Sequence, residues 1–170
     1  MLIYHPAFDA SHCSYRILKI LSKISLDKSI EKDRIKIIDF YMVFPKQMRS
    51  IRFPQNLGAR KIRSELDKIN DSYRPCRSPF LIQQKMSIIQ DKVLNSLVTN
   101  EHLSYISSKN EYTQGSKFSH LALSNSLFSN FINKDLENLI LDFFINFPLN
   151  GKDGLKDRTA LMEFRYDNKL

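Results

Sequence analysis

The sequence predicts a mainly α protein with a small β hairpin, an α+β fold of winged-helix-like type, and three observations carry that expectation. Apolar residues recur at helical spacing in successive segments. Two short β-prone runs flank the polar stretch Ser107–Asn110. The 170 residues include only 4 Gly and 6 Pro, too few for a turn-rich β-sandwich, and 42% hydrophobic with 26% charged side chains is a globular rather than a disordered balance.

The first helix is expected over 12–24, where Ile17, Ile20, Leu21 and Ile24 alternate with Arg16, Lys19 and Lys23. A second covers 29–43; its apolar residues are so dense (Ile30, Ile35, Ile37, Ile38, Phe40, Tyr41, Met42, Val43) that burial on several sides follows, and Pro45 ends it. A connection from Pro45 to Pro54 interleaves Phe44, Met48, Ile51 and Phe53 with Lys46, Arg49 and Arg52. A third helix takes 57–70 through Leu57, Ile62, Leu66 and Ile69, and residues 71–79, with Pro75 and Pro79, form a loop. The fourth helix, 80–98, has the clearest period: Ile82, Met86, Ile89, Val93 and Leu97. Leu103–Ile106 and Glu111–Thr113 then read as a hairpin, so that three helices and a hairpin stand in winged-helix order. A fifth helix starts near Asn133 as N-cap and buries Leu136, Leu139, Ile140, Phe143 and Phe144. Residues 1–147 thus form one helical, winged-helix-like domain, and 148–170 a polar C-terminal tail with a short strand expected at Ala160–Tyr166.

The net charge of +8 is concentrated. Residues 46–85 hold 10 basic and 3 acidic side chains, while the segments before and after nearly balance. Lys46, Arg49, Arg52, Arg60, Lys61, Arg63, Arg74 and Arg77 are therefore candidate contacts to DNA or another polyanion, or to an acidic partner protein. No apolar run approaches the roughly 20 residues a membrane-spanning helix requires. Cys13 and Cys76 form no CxxC pair and no disulfide framework, and the start lacks the shape of a secretion signal, which points to a cytoplasmic location.

The search for chemistry gives no catalytic, cofactor or metal residues. Asn150–Gly154 has the outward form of a phosphate loop, but Lys152 is followed by Asp153 where a phosphate loop needs Ser or Thr. His5, Asp9, His12 and Cys13 have zinc-compatible types without a second ligand pair. His12 and Cys13 are adjacent and would point about 100° apart on a helix, so they do not make a nucleophile and its base. The acids are spread evenly rather than clustered as a nuclease centre needs, and the expectation is a protein without enzymatic activity.

The string Leu2-Ile3-Tyr4-His5-Pro6-Ala7-Phe8-Asp9, followed by His12-Cys13 and Tyr15–Leu18, and then Ile37–Tyr41, Phe44-Pro45 and Ile51-Arg52, resembles the middle components of bacterial ABC three-component defence systems, the group that includes Lamassu-type systems. The likeness lies in about the first 55 residues. It implies a non-catalytic adaptor that bridges an SMC-like ABC ATPase subunit and an effector nuclease and assists in sensing DNA through the complex, with no cofactor, membrane or small-molecule substrate. It marks Tyr4, His5, Pro6, Phe8, Asp9, His12, Cys13, Arg16, Asp39, Phe40 and Tyr41 as motif or interface residues, although a buried N-terminal arm would need the same residues. The alternative is a free-standing winged-helix transcriptional regulator, which would read bases from the fourth helix through Gln83, Gln84, Lys85, Gln90, Lys92 and Asn95.

Overall fold

The computed structural model describes residues 5–53, 59–69, 76–118 and 134–163. Pro6–Phe8 make one turn of 3₁₀ helix, and Asp9 caps the helix that follows: its Oδ1 accepts the His12 N–H at 2.8 Å, satisfying an amide the helix start leaves unpaired. Helix α1 spans Ala10–Ser22. A two-residue strand, β1 (Ile30–Glu31), passes directly into α2 (Lys32–Val43), and Pro45–Ser50 form a second 3₁₀ turn. Then come α3 (Ala59–Asp67), α4 (Pro79–Thr99), β2 (Leu103–Ile106), β3 (Glu111–Gln114), α5 (Lys134–Asn146) and a short α6 (Leu155–Thr159).

The expectation of a mainly α fold with a small β hairpin holds. The hairpin supplies the central strand and one edge of a three-stranded antiparallel sheet in the order β1-β3-β2, with Tyr112 opposite both Ile30 and Tyr105. Asn110 closes the turn in the left-handed region, φ 54°, which Asn tolerates better than most residues. The Tyr105 hydroxyl donates to its side-chain oxygen at 2.9 Å. Below the hairpin the Gly115 N–H donates to the His102 carbonyl at 2.9 Å, so close that a Cβ on Gly115 would collide with the Glu101 carbonyl oxygen.

Helix α2 is the centre of the molecule. Every residue from Arg34 to Met42 is buried, because α1, α4 and α5 pack around it. Tyr41 stacks on Phe144 at 4.9 Å between ring centroids, and Phe143 meets Phe53 edge-on at 4.9 Å; such pairs each add about 0.5–1.5 kcal/mol beyond the area they bury. An ion pair and charge-assisted hydrogen bonds clamp α5 in place. Lys19 Nζ lies 2.7 Å from Glu137 Oε1, and the Arg34 guanidinium donates to the Phe144 and Phe147 carbonyls at the C-terminal end of α5, where a helix dipole favours a cation.

The C-terminal expectation changes in part. The strand expected at Ala160–Tyr166 is absent over Ala160–Glu163; Leu155–Thr159 is helical instead, ending at Ala160 in the left-handed region, and 164–166 lie outside the described residues. Leu149, Leu155 and Leu161 are buried in the common core, and Lys156 Nζ pairs with Asp33 Oδ2 at 2.7 Å, so this segment packs onto the helical body. The N-cap expected at Asn133 also lies outside the described residues.

Candidate functional site

Most of the N-terminal motif closes on one buried charge. Asp39 of α2 is fully buried, and Arg16 of α1 reaches it with Nε 2.5 Å from Oδ1 and Nη2 3.3 Å from Oδ2. The same guanidinium donates through Nη1 to the Pro6 carbonyl at 3.1 Å, tying the first 3₁₀ turn to the core. Gln90 of α4 donates to Asp39 Oδ2 at 2.7 Å, Gln83 donates to Gln90 Oε1 at 3.0 Å, and the Cys13 thiol lies 3.9 Å from Asp39 Oδ2. Burial tends to lower the Arg16 pKa, but the charge and hydrogen bonds of Asp39 outweigh it and raise it. Burial first, and then the Asp39 charge, push the Cys13 thiol far up, so it stays protonated and inert.

The other motif residues surround this centre. His5 Nδ1 accepts the Ala7 N–H at 3.1 Å, and its ring lies 5.5 Å from that of Phe8 and 5.6 Å from that of Phe44. Asp9 caps α1, and His12 is buried, its pKa lowered by that burial and by Arg16 against the opposing charge of Asp9. Phe40 and Tyr41 are core residues. Phe8 is the motif side chain turned outward, 43% exposed, and Tyr4 lies outside the described residues. Among the described residues no group of three or more His, Cys, Asp or Glu could hold a metal ion.

The basic candidates behave differently. On α3, Ile62 and Leu66 turn inward toward α5 and the second 3₁₀ turn, which leaves Arg60, Lys61 and Arg63 exposed together on the outer side of one helix. Arg49 is exposed but pairs with Asp67 Oδ1 at 2.6 Å. Arg52 is exposed and its carbonyl accepts from Arg158; Arg77 is exposed just before α4; Lys46 is half-buried; Arg74 lies outside the described residues. The concentrated charge of the sequence is thus an outward face on α3 with single cations on the adjoining connections.

On helix α4 the roles differ from those the sequence suggests. Gln83 and Gln90, expected to read bases, are 1% exposed and belong to the Asp39 centre. The buried face of α4 follows Gln83, Met86, Gln90, Val93, Leu94 and Leu97, rotated from the expected Ile82–Ile89 line. The seven-residue separation of Gln83 and Gln90, in step with Met86, Val93 and Leu97, was the available signal. Lys36, also unmarked in the sequence, reaches α4 with Nζ 2.7 Å from Ser87 Oγ and 2.8 Å from Asp91 Oδ1.

A family model described as "ABC-three component (ABC-3C) system Middle Component 5" matches residues 2–167. No curated protein and no solved structure matches the chain.

Proposed function

The chain belongs to the Middle Component 5 family of ABC-three component systems, and from that membership we propose a non-catalytic adaptor that bridges an SMC-like ABC ATPase and an effector nuclease in a defence complex and assists DNA sensing. The family match along nearly the whole chain carries this reading. The N-terminal string that suggested a complex of Lamassu type extends it, as does the exposed Arg60, Lys61 and Arg63 face, which supplies the sequence-independent attraction that a phosphate backbone requires.

We read the fold as a winged helix with α3 inserted. Strand β1 lies between α1 and α2 and pairs with the second strand of the hairpin that follows α4, so α4 takes the recognition-helix position and β2–β3 the wing. A free-standing regulator would need α4 to read bases. With Gln83 and Gln90 engaged by Asp39, the outward face mixes Gln84, Lys85, Lys92 and Asn95 with the apolar Leu81 and Ile88, which suits protein contact better than a groove. The two cysteines are free, in keeping with a reducing compartment, and no described helix is long and apolar enough to cross a membrane.

The test is co-expression with the ATPase and effector of its own system, followed by affinity purification and size-exclusion chromatography. The adaptor reading expects one complex containing both. Elution of the chain by itself as a homodimer that prefers one DNA sequence would replace that reading with the regulator.

A further inference from the structure

Six large apolar side chains are exposed among the described residues, and three of them, Phe80, Leu81 and Ile88, lie on α4, at 39%, 55% and 60% exposure. Leu81, Lys85, Ile88, Lys92, Asn95 and Thr99 form one exposed line, with successive separations of four and three residues. That is the spacing of a helix-packing seam, running about 27 Å at 1.5 Å per residue. Apolar and basic positions each repeat every seven residues along it: Leu81 with Ile88, and Lys85 with Lys92. The one acid on this part of the helix, Asp91, is taken by Lys32 at 2.7 Å and Lys36 at 2.8 Å, so it does not offset the exposed lysines.

We propose that the outward face of α4 docks an amphipathic helix of another component of the complex, one whose apolar residues repeat every seven positions to meet Leu81 and Ile88 and whose Asp or Glu residues stand opposite Lys85 and Lys92. The inference rests on the adaptor reading and names its surface. Period and charge together choose this occupant. A line of exposed side chains with a seven-residue repeat is matched by a second helix laid along it, and the lysines select acids on that helix. A nucleic-acid backbone would use the lysines but leave Leu81 and Ile88 against water or phosphate. The buried face of α4, held through Gln90 to Asp39 and through Asp91 to α2, fixes the outer face as a rigid platform, which lowers the ordering cost of binding.

The full-length protein is co-expressed with the other components of its system as wild type, Leu81→Glu with Ile88→Glu, and Lys85→Glu with Lys92→Glu. Affinities are measured by titration of the purified chain, and a photo-crosslinking residue at Ile88 locates the contact by mass spectrometry. Both variants are expected to bind about tenfold or more weakly, with circular dichroism melts close to wild type because every substituted side chain is exposed. The crosslink is expected in a helix bearing acids at seven-residue intervals, and exchanging those acids for Lys should restore binding to the Lys85→Glu, Lys92→Glu variant. If the wild-type complex forms and both variants bind as well as it does, the α4 proposal fails and the adaptor reading stands. If the wild type joins no complex, the adaptor reading itself fails and takes this proposal with it. If the lysine variant loses DNA while the Leu81→Glu, Ile88→Glu variant changes nothing, the face is a nucleic-acid surface and the proposal is overturned.

Discussion

Arg16 and Asp39, twenty-three residues apart in sequence, meet between α1 and α2 in a charge pair almost sealed from water, with Nε 2.5 Å from Oδ1. A buried pair adds little net stability over an apolar pair of similar size, but removing one partner strands the other charge. Asp39→Ala should therefore cost about 3–5 kcal/mol in urea unfolding, while Arg16→Met combined with Asp39→Leu should cost less than Asp39→Ala alone. A loss below about 1 kcal/mol for Asp39→Ala would mean that Arg16 is not stranded without Asp39, and that the pair does not organise this centre.

The same centre controls thiol chemistry. Cys13 is 1% exposed and its pKa is raised first by burial and then by the Asp39 charge; Cys76 is half-buried and its pKa is raised by burial. In a thiol-reagent titration of the native protein, Cys76 should react slowly and Cys13 only after denaturant is added. Equal rates for both cysteines in the native protein would show that α1 opens readily from α2.

Asp91 gives the pH dependence. Burial tends to raise its carboxyl pKa, but hydrogen bonds and charge from Lys32 and Lys36 outweigh that effect and hold it below the ordinary value. A carboxyl lowered on folding contributes stability that is fully present above its unfolded pKa, about 3.9, and is lost as pH falls through the folded value. Unfolding free energy should therefore decline on acidification below about pH 4, and Asp91→Asn should flatten part of that decline while lowering stability at neutral pH. An identical acid limb in the variant would assign the loss to other carboxylates, Glu31 beside Arg34 first among them.

These residues also show what the sequence can and cannot reveal. Local pattern located α1 to α5, though not α6, and set the hairpin at Leu103–Ile106 and Glu111–Thr113, one residue short of the observed Gln114, because period is written in neighbouring residues. Strand β1 left no such trace: two residues have no period, and Ile30 is a strand residue only because Tyr112 pairs with it. The N-terminal string was visible as a cluster, but its spacing could not reveal that Arg16 and Asp39 bind each other; the inward turn of Gln83 and Gln90 was readable from their period, but not that Gln90 meets Asp39. The basic excess was legible as charge. Only packing, with Ile62 and Leu66 facing inward, separates the outward Arg60, Lys61 and Arg63 from Arg49, which Asp67 occupies.

That separation yields the prediction for nucleic acid. If the α3 face meets a phosphate backbone, Arg60→Glu, Lys61→Glu and Arg63→Glu together should weaken binding of the assembled complex to duplex DNA of any sequence. The slope of log affinity against log salt should fall by about 0.9 for each phosphate that the variant no longer neutralises. Folding should be unaffected, since the three side chains are exposed and the anchoring Ile62 and Leu66 remain. Arg49→Glu should do less, because that cation is already paired. Fluorescence anisotropy across a salt series measures both quantities. An unchanged slope with weakened assembly would give the α3 face to an acidic protein partner instead of DNA.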